Sequence, residues 1–219
     1  MSDGQMNPRP RPAVSVVDLT TDDLADIARL HLLAFPDSEL GRQGTEAVRR
    51  SYLWQFEGPH DLTAIGARLD GRLVGFLFGG VFRGSTIGFL KREWPFLVGQ
   101  AVRHPSTVLR RSSWSRITLA LRLLVRRTPQ PAPEEPTAVG PRSFGVLSIA
   151  VDPTVQGGGV GRAIMVEAER AAREQGFDQM HLTVHPSNEQ AVRFYLGGGW
   201  QWQIDDDGER SGQMIRLLV

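Results

Sequence analysis

The sequence predicts a single α/β domain, and three observations lead there. Apolar strand-like runs alternate with amphipathic helical runs along most of the chain. Asp70-Gly71 sits between two apolar runs, Leu62–Leu69 and Arg72–Arg83, which is a strong hairpin signal. A third strand-like run, Ser143–Val151, passes through a glycine-rich turn into a helix with one apolar stripe. With 219 residues, 41% of them hydrophobic, the chain is long enough for one sizeable core.

The elements follow in order. Residues 1–12 are polar and proline-rich and read as a disordered tail. Ala13–Leu19 reads as a first strand. Thr20 or Thr21 then caps a helix that places Leu24, Ile27, Ala28 and Leu32 on one face, with acids in its first turn, and Pro36 ends it. Residues 37–44 read as a loop and residues 45–57 as a second helix, followed by the hairpin. Residues 84–142 interrupt the pattern with two helical runs and a stretch, 128–141, holding five prolines, so they read as an insertion between the third and fourth strands. The near-continuous apolar end of Ser143–Val151 suits a central strand. Val160, Ile164, Ala168, Ala171 and Ala172 form the stripe of the next helix, and Gly176 stops it. Gln179–Val184 reads as a strand. Ser187 and Gln190 have capping-box spacing for a helix running to Leu196. Residues 200–204 and 213–219 read as a closing hairpin.

Composition excludes several chemistries. There is no cysteine, hence no disulfide framework, thiolate metal site or cysteine nucleophile. The five histidines (31, 60, 104, 181 and 185) form no HExxH pattern, so no metal site is expected. His181 and His185 sit too far apart along a strand to share one ion. No apolar run approaches the roughly 18 residues of a membrane span, and the first residues have no apolar stretch like that of a signal peptide. A cytoplasmic protein is therefore expected. The net charge of +1 conceals an asymmetry: residues 84–142 carry ten basic and three acidic residues. Lys91 is the only lysine, and arginine is spread over every segment, so charge does not single out a nucleic-acid partner.

The informative segment is Asp152–Arg162, DPTVQGGGVGR. Glycines at 157, 158, 159 and 161 let the backbone approach a ligand, and the first turn of the following helix offers unpaired N–H donors suited to phosphate. Arg162 adds a cation. Neither the GxxxxGK[ST] nor the GxGxxG pattern fits, since no lysine stands nearby and Ile164 occupies the last glycine position. A purely structural glycine turn is the alternative at this point.

The cluster has company. Gln156-Gly157-Gly158-Gly159-Val160-Gly161 resembles the pyrophosphate loop, Q/R-x-x-G-x-G/A, of the GNAT superfamily of acyl-CoA-dependent N-acyltransferases. Asn188, Ala191, Phe194 and Tyr195 follow at the family's usual distance as N-x-x-A-x-x-F-Y. The element order is also the family's, and the strong part of the resemblance covers residues 143–202. It implies a mixed, mostly antiparallel twisted sheet with helices on both faces, in one domain over 13–219.

The resemblance also implies roles. The fourth strand splays from the fifth, and the pantetheine arm of acetyl-CoA, the co-substrate, lies in the gap on backbone groups of Ile149, Ala150 and Val151. The pyrophosphate rests on N–H groups of Gln156, Gly157, Gly158, Gly159, Val160, Gly161 and Arg162, and Asn188 contacts the arm. A primary amine attacks the thioester directly. Tyr195 is the expected general acid for the thiolate, its alternative being a packed aromatic beside Phe194. A fourth-strand N–H at or near Val151 polarises the thioester carbonyl. Glu39 is the leading candidate base, in the loop on the acceptor side; Asp37, Glu57 and His185 are the others, and each is alternatively a solvated or turn residue. The acceptor is expected to be a small-molecule amine, an amino sugar among the options. A second reading is a non-catalytic acyl-CoA-binding module that docks a partner or membrane through the insertion.

The sequence departs from the family in two places. Leu196-Gly197-Gly198-Gly199-Trp200 replaces the usual G-F, with Trp200 able to serve as the core aromatic. The insertion at 84–142 replaces a short connection. Within it, Ser106–Arg127 forms a basic amphipathic pattern. Packing of its apolar side on the core or on a second copy in a homodimer is the expected role; an acceptor lid and membrane docking are the alternatives.

Overall fold

The computed structural model describes residues 14–83, 88, 89, 92, 93, 141–204 and 210–218. The chain divides into two units, one of residues 1–83 with 141–219 and one of residues 84–140. The expectations for the tail, the basic helix at 106–127, the proline-rich stretch and the tip of the last hairpin fall outside the described residues. The boundary lies slightly earlier than expected: Arg142 belongs to the first unit, where its backbone N–H donates to Asp178 at 2.7 Å and its guanidinium to the carbonyl of Gly176 at 2.9 Å.

The first unit runs β1 (Ser15–Asp18), a 3-10 turn (Thr21–Asp23), α1 (Leu24–Ala34), α2 (Glu39–Arg42), α3 (Thr45–Glu57), β2 (Asp61–Leu69), β3 (Arg72–Val81), β4 (Ser143–Val151), α4 (Val160–Glu174), β5 (Gln179–Thr183), α5 (Glu189–Gly197), β6 (Gln201–Ile204) and β7 (Arg210–Leu217). The strands form one seven-stranded sheet in the order β1-β2-β3-β4-β5-β7-β6. Only the β4–β5 pair is parallel; the other pairs are antiparallel. This is the mixed, mostly antiparallel α/β sheet that the sequence predicts.

Local chemistry explains most boundaries. Thr20 and Asp23 form a reciprocal capping box at the 3-10 turn that leads into α1. Asp70 and Gly71 both adopt positive φ, 50° and 79°, as a two-residue hairpin turn matched to the strand twist requires. The stretch 37–44 contains a helical turn where only a loop was expected. Ser38 accepts a hydrogen bond from Gly41 N–H at 2.9 Å and so caps α2. Asn188, not Ser187, caps α5: its side-chain oxygen accepts from Ala191 N–H at 3.2 Å. Ser187 instead pairs with the ring of His185 at 2.7 Å, so the expected Ser187–Gln190 box does not form.

The sheet is covered on both faces. On one, Ile27, Ala28 and Leu30 of α1 and Val48 and Tyr52 of α3 pack against Leu73, Phe76 and Phe78 of β3. On the other, Val160, Ile164, Ala168 and Ala172 of α4 pack against Ile65, Leu77, Phe144 and Met180. Trp200 is 2% exposed in this second core, as expected of a residue standing in for phenylalanine.

Burial also sets how the fold responds to acid. His31, His60 and His181 are each held below the ordinary histidine value, chiefly by desolvation, with Arg83 adding to the effect at His60. The unfolded chain binds protons at these residues below about pH 6.5 while the folded chain does not. Stability is therefore fully present above that pH and falls as pH drops toward the folded values. Urea unfolding at pH 7.5, 6.5 and 5.5 is expected to show stability declining as the pH falls, with most of the loss below about pH 6.5. A flat profile over that range would contradict the assignment.

Candidate functional site

The site is built where the sheet comes apart. β4 pairs with β5 only from Ser143↔Gln179 to Val146↔Leu182. On its other side β4 stays paired with β3 as far as Val151, through an irregularity that leaves Leu147 as an extra residue between Val146 and Ser148. The edge of β4 from Leu147 to Val151 that faces β5 therefore has no strand partner. Free N–H and C=O groups along such an edge can pair with an amide-bearing ligand as an added strand would. Ile149, Ala150 and Val151, the predicted arm-binding residues, all lie on this stretch.

The end of β4 is pinned. Asp152 is 1% exposed. Its carboxylate accepts from Thr154 N–H at 3.0 Å, Thr154 hydroxyl at 2.7 Å and Arg72 at 2.9 Å. The Thr154 bonds first, and the Arg72 charge after them, hold the carboxyl below the usual range. A 3-10 turn, Pro153–Val155, follows directly.

From that turn the chain enters the glycine loop. Gly157 and Gly159 have φ of 80° and 87°, a conformation that side-chain-bearing residues rarely adopt. A Cβ at either position would meet no atom within 4 Å, so these two glycines are demanded by backbone conformation rather than by crowding within the chain. Gly159 is the N-cap of α4 and contributes no side-chain hydrogen bond. The N–H groups of Val160, Gly161 and Arg162 consequently have no acceptor inside the helix and carry the positive end of its dipole. Arg162 is exposed beside them, with no partner among the described residues. Gly158 faces inward instead, donating to Val155 C=O at 3.2 Å.

Two glutamines link the loop to its surroundings. Gln156 donates to the carbonyl of Val151 at 3.1 Å and accepts from Gln190 of α5 at 3.0 Å. The predicted donor-site residues at 149–151, 156–162 and 188 are thus brought together around one gap, although Asn188 has its side-chain oxygen committed to capping α5.

Tyr195 projects from α5 into the core on the α4 face of the sheet. Its ring packs against Phe194 and Trp200 at centroid distances of 5.3 and 5.7 Å. It is 7% exposed, and burial pushes its phenol up to about 12. Its hydroxyl makes no hydrogen bond among the described residues. The group is therefore protonated at neutral pH.

Glu39 lies exposed at the first position of α2. The hydrogen bonds that connect this corner to β4 run through other residues, which sequence reasoning missed. Ser38 Oγ lies 3.3 Å from His31 Nε2; His31 Nδ1 lies 3.0 Å from Tyr52 Oη; Tyr52 Oη lies 3.0 Å from Ser148 Oγ. His31 and Tyr52 are 7% and 4% exposed. Their signal in the sequence was two hydrogen-bonding side chains placed on the apolar faces of α1 and α3. No group of three or more His, Asp or Glu side chains suited to a metal ion occurs among the described residues. No helix of the described residues is long and apolar enough to cross a membrane.

Comparison with known proteins agrees with this geometry. Residues 124–197 match the family model described as Acetyltransferase (GNAT) family. A mycothiol acetyltransferase of Nocardiopsis dassonvillei is 41% identical over 61 residues, 27% of this chain and 18% of that protein. One of Saccharomonospora viridis is 36% identical over 70 residues, 32% of this chain and 23% of that protein. The matched stretches thus span about a fifth of those relatives. The PaiA N-acetyltransferase of Thermoplasma acidophilum, solved in complex with coenzyme A, superposes with a TM-score of 0.55 at 12% identity, covering 94% of this chain and 99% of that one. The splayed sheet, the glycine loop and the motifs at one gap thus coincide with a match to the GNAT acetyltransferase family over residues 124–197, and the chain resembles that family there.

Proposed function

We propose that this chain moves an acetyl group from acetyl-CoA to the primary amine of a small molecule, in a single domain over residues 13–219 that carries the 84–140 segment as an insertion. The observation that carries the reading is the divergence of β4 from β5 after Val146, which opens an unpaired strand edge directly beside the bare N-terminus of α4. An amide-bearing arm fits the edge, and a pyrophosphate fits the N–H groups of residues 160–162 with Arg162 beside them. The family match and the mycothiol acetyltransferases support an acetyl donor and a small-molecule acceptor.

The residues divide the work as follows. Backbone groups of Ile149, Ala150 and Val151 orient the arm, and an N–H at or near Val151 faces the thioester carbonyl, where negative charge develops. The loop from Gln156 to Arg162 anchors the phosphates. Tyr195 gives a proton to the departing sulfur. Glu39, at the first position of α2, is the candidate base on the acceptor side. Acetyl-CoA binds from the pyrophosphate end inward, which leaves the α1–α2 side of the gap to the amine.

Calorimetry with acetyl-CoA tests the reading, with Gly159→Glu as the comparison. Saturation at 100 times the dissociation constant adds about 2.7 kcal/mol, so the unfolding midpoint of the native sequence is expected to rise by roughly 5–10 °C. Gly159→Glu places a carboxylate against the phosphates and a side chain at φ 87°, and is expected to abolish binding while leaving a folded protein. An unchanged affinity in that variant would remove the loop from the donor site. Turnover is then sought with a panel of amino sugars, amino alcohols and alkylamines, and absence of turnover with every member would leave only a binding module.

A further inference from the structure

We propose that Ser148, Tyr52, His31 and Ser38 form a proton relay that carries the proton of the acceptor ammonium from the β4 bulge to solvent at the start of α2. This rests on the acetyl-transfer reading above and supplies what that reading lacks, a route for the amine's proton.

Four successive side chains are joined by three short contacts of 3.0, 3.0 and 3.3 Å. Each interior member is both a donor and an acceptor, which a chain of proton transfers requires. They come from three elements and the α1–α2 turn, over sequence separations of up to 96 residues. The surroundings are apolar. Phe76 and Phe78 pack on the Tyr52 ring at 5.4 and 4.7 Å, and Phe35 packs on the His31 ring at 5.0 Å. Burial holds His31 uncharged at neutral pH, so one ring nitrogen is open to a proton.

The two ends lie where such a path must start and stop. Ser148 is half-buried in β4, two residues beyond the last β5-paired position and next to the stretch proposed to hold the acyl group. Ser38 is part-exposed at the N-cap of α2, where its oxygen also accepts from Gly41 N–H at 2.9 Å. Tyr52 lies in the core on the α1–α3 face of the sheet and Tyr195 in the core on the α4 face. The relay thus takes protons from the attacking nitrogen on one face while Tyr195 serves the leaving sulfur from the other. An acid and a base so separated do not neutralise each other.

The protons balance. Before transfer the relay points outward: Ser148 donates to Tyr52, Tyr52 to His31 Nδ1, and His31 Nε2–H to Ser38. The ammonium gives its proton to Ser148 Oγ, each member passes its own proton one place along, and one proton leaves to water at Ser38. The neutral amine then forms the C–N bond, the C–S bond breaks, and the sulfur takes a proton from Tyr195, which recovers one from solvent. The second proton on nitrogen, made strongly acidic once the C–N bond has formed, passes directly to water at the gap, so the relay is needed only for the first.

The test is Tyr52→Phe, with Ser148→Ala as a second interruption, assayed at pH 7 with ethanolamine and with 2,2,2-trifluoroethylamine. The first amine is charged at this pH and needs a proton removed before attack; the fluorinated amine is already neutral. Both variants are expected to lose on the order of 100-fold in kcat/KM with ethanolamine and less than about threefold with trifluoroethylamine. Acetyl-CoA affinity is expected to be unchanged. A purely structural role would slow both amines equally, and equal loss with both, or no loss with ethanolamine, overturns the relay while leaving the acetyltransferase reading intact. Absence of turnover by the native sequence with every amine of the panel, those two included, overturns both. If Tyr52→Phe does not fold, Ser148→Ala carries the comparison alone, since it removes one oxygen at the half-buried end of the chain.

Discussion

Replacing Gly80 with alanine is expected to lower the unfolding midpoint by roughly 8–16 °C. Gly80 is the second-last residue of β3, pairs with Leu62 and has φ of 132°. A Cβ there would lie 1.9 Å from the carbonyl oxygen of Asp61 and 3.0 Å from its carbon. Those are backbone atoms of a paired neighbouring strand, so relief requires moving β2 or breaking the ladder. The local strain and the clash together place the cost at about 4 kcal/mol or more. That is a large part of the 5–15 kcal/mol that holds a typical domain folded, and at this chain length each kcal/mol is worth roughly 2–4 °C. Gly44→Ala separates strain from collision. Gly44 has φ of 91°, but a Cβ there meets nothing within 4 Å. It is expected to cost only about 1–2 kcal/mol. Equal effects in calorimetric scans of the two variants would show that the contact with Asp61 does not matter.

The legible parts of this fold are those in which one residue or one local pattern decides the outcome. Asp70-Gly71 dictates its turn because both residues accept positive φ. The stripe from Val160 to Ala172 dictates a one-sided helix, and four of its five members are fully buried. The glycine loop was readable for the same reason, since its conformation is demanded at Gly157 and Gly159 themselves. The α5 cap was misread because Ser187 and Asn188 are both competent caps, and the choice falls to His185, whose ring takes the Ser187 hydroxyl. The Ser148–Tyr52–His31–Ser38 chain was invisible for a stronger reason. Its members are distant in sequence, and nothing local distinguishes a tyrosine that packs from one that also reaches β4. Long-range polar contacts are a product of the assembled sheet, and only the fold places them.

Tyr195→Phe is expected to reduce kcat on the order of 100-fold while leaving acetyl-CoA affinity within about twofold. The substitution keeps the ring that packs on Phe194 and Trp200 and removes only a hydroxyl with no hydrogen-bond partner among the described residues. The fold should therefore lose little, roughly 0.5 kcal/mol or less. The direction of the pKa shift bears on the chemistry. In water a phenol near 10 is a weaker acid than a thiol near 8.5, so giving a proton to a thiolate is uphill. Burial raises Tyr195 to about 12, but a thiolate released into the same apolar surroundings is raised by the same desolvation. The pair stays close enough in acidity for the proton to move as the C–S bond breaks. Since Tyr195 remains protonated far above neutrality, it contributes no basic limb to the rate profile between pH 7 and 10. A fall in kcat over that range in the native sequence that vanishes in Tyr195→Phe would contradict the raised value. A variant with unchanged kcat would remove Tyr195 from the chemistry and leave it as an aromatic packed on Phe194 and Trp200.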